Sequence, residues 1–261
     1  MSNVEPRFGR LITAMVTPFN DERELDLDRA QALATRLIEG GNDSLIINGT
    51  TGESPTVFYP QKIELFRAVV EAIGGKAPVI ANVGDNCTAD TVDFAKDVAK
   101  LGVDGFMCVV PYYNKPPQEG MYQHFKTIAD AVELPIILYN IPGRCVVNMK
   151  AETTLRLAND CENVIAVKEA SGKMDQIATI AAAAPEGFSV YSGDDSATYD
   201  VMRLGGAGVI STTGNVAPER MKDLVTKCAE GKWDEAWAAH EALLPLMNGL
   251  FETSNPILVK E

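Results

Sequence analysis

The chain has 261 residues, is 46% hydrophobic, and carries 36 acidic against 23 basic side chains, a formal net charge of −13. At roughly 150 residues per domain that length gives one or two domains, and barrels commonly run as one domain of about 250 residues. The charge argues against nucleic acid or an anionic membrane surface as the main partner, because both repel such a chain on average, but it leaves room for a local basic pocket around a small anion.

In chain order, residues 11–16 are the first short apolar run, and 26–39, stopped by Gly40-Gly41, read as the first amphipathic helix. The run 44–48 precedes a helix over 60–73, with a proline in its first turn and Gly74-Gly75 after it. The run 78–83 precedes a helix over 88–101 that ends at Gly102, and 105–110 precedes one over 118–132 that follows Pro116-Pro117. The remaining pairs are 135–140 with 150–159, 164–168 with 175–184, 188–192 with 196–204, and 208–211 with 218–230. Most of the short runs are apolar on both faces, as buried parallel strands are. Eight strand–helix units point to an α/β fold closed as a (β/α)8 TIM barrel. The rival, an open sheet with Rossmann-like connections, lacks a G-x-G-x-x-G between a strand and a helix. The expected division is a barrel over 1–230 and the start of a C-terminal helical region over 231–261, where 233–251 reads as a helix broken or kinked at Pro245.

Five scattered cysteines without a Cys-x-x-Cys pair suggest neither a zinc clip nor a disulfide framework, so a reduced, cytoplasmic setting is expected. Met1 to Arg10 is polar and charged with no long apolar stretch behind it, so no signal peptide is expected. No run of about 18 apolar residues predicts a transmembrane helix.

In such a barrel the C-terminal strand ends carry the chemistry. Lys168 closes the otherwise uncharged run Val164-Ile165-Ala166-Val167. Period-two alternation places Lys168, Ala166 and Val164 on one face and Glu169 on the other. A lysine there is either a barrel-facing amine or a surface residue at a strand end. Only the neutral amine adds to a carbonyl, and at a pKa of about 10.4 roughly one lysine in 2,500 is neutral at pH 7, so desolvation or a nearby cation is needed to activate it. Arg144 is such a cation, a bidentate carboxylate ligand, or a loop ion pair. Tyr139, one strand away at matching height, is an acid–base phenol or a core aromatic with a wet tip. Thr50 and Thr51, between Gly49 and Gly52, offer hydroxyls and N–H groups to a carboxylate, or simply cap a turn. Tyr112 and Tyr113 sit in a proline-rich loop as packing, a subunit contact or a proton relay. His124 and His240 read as packed or helix-surface histidines. Asp194-Asp195 read as capping or turn residues, since neighbours at a strand end point opposite ways.

Three motifs, Gly49-Thr50-Thr51-Gly52-Glu53, Tyr139-Asn140-x-Pro142-x-Arg144 and Lys168-Glu169-Ala170-Ser171-Gly172, closely resemble the dihydrodipicolinate synthase and N-acetylneuraminate lyase superfamily. The likeness runs from Thr17-Pro18 through Ser192-Gly193-Asp194-Asp195 to Asn255-Pro256. It implies a (β/α)8 barrel and a class I aldolase-type lyase that works through a pyruvate Schiff base, without a metal or organic cofactor. Thr50-Thr51, where the neuraminate lyases typically carry Ser-Thr, and Arg144 point to the synthase branch, which condenses pyruvate with L-aspartate 4-semialdehyde on the diaminopimelate and lysine pathway. The rivals are another pyruvate-dependent aldolase acting on a sugar acid and a barrel without catalysis. The resemblance makes Lys168 the nucleophile, Tyr139 the acid–base group, and Thr50 the link from Tyr139 to a Tyr113 lent by a neighbouring subunit. Thr51 holds the pyruvate carboxylate, Arg144 the carboxylate of the aldehyde, and Gly193 and Ile210 line the pyruvate pocket. A homo-oligomer, a dimer or a tetramer, follows from the shared relay.

The resemblance also implies a feedback site for lysine at Ser54, Pro55, Tyr59, Lys62, Asn86, Asp90 and Tyr112. Lys62, where lysine-sensitive members often carry His, sets a cation against a cationic ligand, so weak or absent inhibition is expected. The family normally continues past Asn255-Pro256 through further helices. The C-terminal extension therefore reads as truncated, with apolar surface expected on Trp237, Leu243, Leu244 and Leu250 and with weakened tetramer assembly.

Overall fold

A computed structural model of the chain describes residues 5–261. Residues 1–4, the start of the stretch expected to carry no export signal, lie outside that range. The strands are β1 (Leu11–Ala14), β2 (Ser44–Ile47), β3 (Val79–Asn82), β4 (Gly105–Val109), β5 (Ile136–Asn140), β6 (Val164–Glu169), β7 (Ser189–Ser192) and β8 (Gly208–Ser211). Each pairs in parallel with the next in sequence, and β8 returns to β1 to close the barrel. Between and after them run α1 (Leu27–Glu39), α2 (Tyr59–Ile73), α3 (Thr88–Ala99), α4 (Gln118–Ala131), α5 (Pro142–Cys145), α6 (Ala151–Asp160), α7 (Met174–Ala183), α8 (Thr198–Arg203), α9 (Pro218–Ala229), α10 (Trp233–Gly249) and α11 (Ile257–Lys260). The expected TIM barrel is therefore the fold. Among the described residues no helix is long and apolar enough to cross a membrane.

The apolar strand runs divide between two layers. Ile12, Ile46, Ile80, Met107, Ile137, Ala166, Tyr191 and Ile210 fill the barrel, with Phe8 in the same cluster. Leu45, Val79, Cys108, Leu138 and Val167 face the helices. Burial on both faces explains why these strands lack the alternation of a half-exposed sheet. A packed interior leaves only the C-terminal rim for chemistry.

Several expectations change at this level. Val164 packs in the outer layer while Ala166 lies in the barrel. The cause is an irregularity in the β5–β6 ladder, where Ile136 pairs with Val164 but Ile137 with Ala166. The extra residue, Ile165, breaks strict alternation below the lysine. The helix expected from 196 begins at Thr198, after a tight turn over Asp195–Ala197. Helix α5 was not foreseen. Helix α10 runs unbroken through Pro245, which lies on an exposed face with Glu241, so the backbone carbonyl left without its helical partner is at the solvent side. Leu243 and Leu250 are not surface residues. Both are buried, Leu243 in a satellite core that joins α8, α9 and α10 to Leu11 and Val209. Leu244 is half-buried and Trp237 exposed.

Candidate active site

The β5 and β6 ends are held in register, Tyr139 beside Lys168 and Asn140 beside Glu169. The outward pair is locked first. Asn140 donates through Nδ2 to both Glu169 carboxylate oxygens at 3.0 and 3.1 Å. Glu169 also accepts from the Ser171 N–H at 2.9 Å and from Gln176 Nε2 at 2.8 Å. Asn140 Oδ1 in turn accepts from the Met149 N–H at 3.0 Å. With Asn140 and Glu169 tied outward, the pleat turns Tyr139 and Lys168 inward.

Lys168 is 5% exposed. Its Nζ lies 4.3 Å from the centroid of the Tyr139 ring. Burial brings its pKa down to about 8; the Asp195 carboxylate opposes that fall and the Arg144 guanidinium adds to it. About one amine in ten is then neutral at pH 7, a gain of over two orders of magnitude on a solvated lysine. Tyr139 is 3% exposed. Burial pushes its phenol up to about 12, against the pull of a side-chain hydrogen bond to Thr50 and of the Arg144 charge. At neutral pH it is a proton donor.

The side expected to take the pyruvate carboxylate forms around Thr51. Its Oγ1 lies 3.3 Å from Thr212 Oγ1 and accepts from Asn255 Nδ2 at 2.8 Å. The Asn255 carbonyl accepts from Arg144 Nη2 at 3.1 Å, so one residue of the C-terminal segment touches both expected carboxylate ligands. The segment is pinned by Lys260, which donates to Glu53 Oε1 at 2.6 Å and to the Thr17 carbonyl at 3.0 Å. A Cβ on Gly193 would meet Ala170 Cβ at 2.7 Å and Lys168 Cγ at 3.1 Å, so only glycine lets the β7 exit pass the lysine stem. Ile210 lies in the barrel interior.

Lys168, Tyr139, Thr50, Thr51, Arg144, Gly193 and Ile210 thus share one rim. Tyr113 does not join them within one chain. It is 87% exposed, adopts a left-handed backbone (φ 72°), and its hydroxyl has no hydrogen-bond partner among the described residues. The two histidines are packed, His124 with Nδ1 2.8 Å from Thr88 Oγ1. Asp194 caps the turn as expected, accepting from the Ser196 N–H at 3.0 Å. The sequence reading missed Asn255, Thr212 and the reach of Asp195. Asn255-Pro256 was visible as a motif, but nothing local says that residue 255 returns to residue 51.

Ser54, Tyr59, Lys62 and Asp90 line a cavity of about 320 Å³ together with Asp85, Asp93 and Phe94. Asn86 and Tyr112 adjoin it: Asn86 Nδ2 donates to the Tyr112 carbonyl at 3.1 Å, and the Tyr112 hydroxyl donates to Asp85 at 3.0 Å. Pro55 is exposed and outside the lining. Burial lowers the Lys62 pKa, against the pull of Asp85, and its Nζ lies 5.7 Å from the Phe94 ring centroid.

A barrel whose rim joins a buried lysine, a phenol, an arginine and a threonine pair has relatives of known activity. The chain is 53% identical over 255 residues to the 4-hydroxy-tetrahydrodipicolinate synthase of Moorella thermoacetica, covering 98% of this chain and 87% of that one. It is 51% identical over 252 residues to 4-hydroxy-tetrahydrodipicolinate synthase 1 of Halalkalibacterium halodurans, covering 97% of this chain and 85% of the relative. The crystal structure of the Cyanidioschyzon merolae enzyme (DHDPS) with lysine bound superposes with a TM-score of 0.96 at 45% identity, covering 98% of this chain and 87% of that one. The family profile described as dihydrodipicolinate synthetase matches residues 7–261, and the chain belongs to that family.

Proposed function

We infer that the chain condenses pyruvate with L-aspartate 4-semialdehyde to 4-hydroxy-tetrahydrodipicolinate, on the route to diaminopimelate and lysine. The neutral Lys168 amine adds to the pyruvate C2 carbonyl, and the carbinolamine loses water to an iminium. Loss of a C3 proton gives an enamine, whose carbon attacks the aldehyde carbon while the aldehyde oxygen takes a proton. The amino group of the second substrate then displaces Lys168, closing the ring and freeing the amine. Tyr139 moves the protons at the carbinolamine and the aldehyde oxygen. Thr51, whose oxygen already accepts from Asn255, has its own hydroxyl proton to give to the pyruvate carboxylate. Arg144 holds the aldehyde's carboxylate. Thr50 links Tyr139 to the Tyr113 of a neighbouring copy, so the working species is a homo-oligomer.

The observation that carries this reading is the buried Lys168 amine 4.3 Å from the centroid of the Tyr139 ring. Borohydride reduction in the presence of pyruvate should leave a pyruvate-sized adduct on the peptide containing Lys168. The initial trapping rate should rise with pH to a midpoint near 8, because only the neutral amine attacks. A folded chain that gives no adduct overturns the reading. A midpoint near pH 10 would mean a solvated lysine and an unactivated site.

Ser54, Tyr59, Lys62, Asp90 and the adjoining Asn86 and Tyr112, with Pro55 at the edge, are proposed as the counterpart of a lysine feedback site. Three carboxylates in the cavity favour a cation, but the Lys62 ammonium already supplies one and occupies the space over Phe94. Millimolar lysine is therefore expected to leave the condensation rate nearly unchanged, and an ordinary inhibition curve would refute this.

A further inference from the structure

The protonation state of Asp195 is set by its partners. The side chain is 2% exposed. Its Oδ2 accepts from the N–H groups of Thr212 and Thr213 and from Thr213 Oγ1, each at 2.9 Å. Its Oδ1 lies 2.5 Å from Ser211 Oγ. Ser211 Oγ already accepts from the Gly214 N–H at 2.8 Å, so its single proton is directed at Asp195. Burial raises the Asp195 pKa and the hydrogen bonds from Ser211, Thr212 and Thr213 oppose that rise; every contact is a donor, the pattern an ionised carboxylate satisfies.

The position of this charge is equally constrained. Tyr191 of β7 pairs with Lys168. The Gly193 N–H donates to the Glu169 carbonyl at 2.8 Å, and the missing Gly193 Cβ is what lets the chain run against the lysine stem. Asp195 follows two residues later, and its carboxylate crosses to the exit of β8. There it fixes Thr212, whose hydroxyl lies against Thr51.

We propose that Asp195 is a positioning residue for the Lys168 Schiff base: it clamps the β8 exit so that Thr212 sits on Thr51, and it is the fixed negative charge that balances Arg144 at the lysine nitrogen. This deepens the function proposed above and rests on it. The groups acting on that nitrogen are Tyr139 from β5, Arg144 from α5 and Asp195 from the β7 exit. Glu169 shares the strand but faces outward into its own donors, and β8 presents Ile210, Ser211 and Thr212, none of which titrates near neutrality. The lysine must be neutral to attack and cationic as the iminium. Burial and Arg144 serve the first state at the expense of the second. A carboxylate that stays ionised opposes both and stabilises the iminium, without taking the amine's proton.

The test reads Lys168 directly. Competitive acylation with acetic anhydride across pH, followed by mass spectrometry of the Lys168 peptide, reports the pH at which the amine becomes neutral and needs no catalysis. Asp195→Asn keeps the size and removes the charge, so the midpoint should fall by about one pH unit, roughly a tenfold larger neutral fraction on the acid side. The iminium trapped at equal pyruvate should fall as well. Ser211→Ala keeps the charge and removes one donor to it, so its midpoint should rise by a few tenths of a unit. A purely structural role predicts lower melting temperatures for both variants with unmoved midpoints, and that result overturns the proposal. If Asp195→Asn does not fold, Ser211→Ala decides alone: an upward shift supports the proposal and an unmoved midpoint refutes it. If the unsubstituted chain traps no pyruvate while the midpoints still move, the condensation reading fails and the electrostatic assignment stands. If it traps pyruvate and neither midpoint moves, the reverse holds.

Discussion

Lys168→Met should abolish the borohydride-trapped adduct and lower kcat at least about 1,000-fold, a barrier increase of about 4 kcal/mol, while the protein becomes more stable. The two effects have one origin. The covalent path runs through this amine, and the thioether of methionine cannot form an imine. The same amine is costly to bury: its pKa falls from 10.5 to about 8, so at neutral pH the native state holds a desolvated ammonium that the unfolded chain exposes to water. Between about pH 8 and 10.5 the unfolded state binds more protons than the native state, so stability of the unsubstituted chain rises with pH through that window. The gain from methionine should therefore be about 1–3 kcal/mol at pH 7 and should fade as pH approaches 10.5. Urea denaturation of both proteins at pH 7 and pH 10 checks this. A variant less stable at pH 7 would mean that the lysine ammonium is well solvated or paired, contrary to the site described.

Gly208→Ala should prevent closure of the barrel, or cost more than about 3 kcal/mol if the chain still folds. A Cβ there would lie 2.0 Å from the Arg10 carbonyl oxygen and 2.7 Å from that residue's Cα and carbonyl carbon. These are main-chain atoms on the β1–β8 seam, where the Val209 N–H donates to Arg10 at 2.9 Å. No rotamer change relieves the clash, so the seam must open. Gly143→Ala is the control: nothing lies within 4 Å of its added carbon, and its melting temperature should be close to that of the parent. A Gly208→Ala protein that melts with the parent would show the seam to be far softer than its packing suggests.

The Gly208 case shows where local reading stops. In sequence, Gly205-Gly206-Ala207-Gly208 looks like a flexible turn before a strand. The requirement for glycine at 208 comes from Arg10, the residue before β1 and nearly 200 positions earlier. The β6 irregularity is similar. Alternation correctly set Lys168 and Glu169 on opposite faces, because those residues lie above the irregular step. It failed at Val164, because the extra residue at 165 is defined only by the partner strand's register.

The sequence by itself determined the class of fold and set a lysine at the end of one of its strand runs. Eight short runs, most of them apolar on both faces and separated by amphipathic helices, leave a closed parallel barrel as the economical way to bury both strand faces. A lysine ending one such run is legible because strand position and charge are local properties. Only the tertiary structure decided what that lysine experiences. Its pKa is set by burial, by Asp195 from the β7 exit and by Arg144 from α5, and Thr51 is oriented by Thr212 and by Asn255, more than 200 residues on in the chain. Electrostatic and hydrogen-bond energies depend on distance through space and on exclusion of water, and barrel closure sets both where local sequence pattern does not.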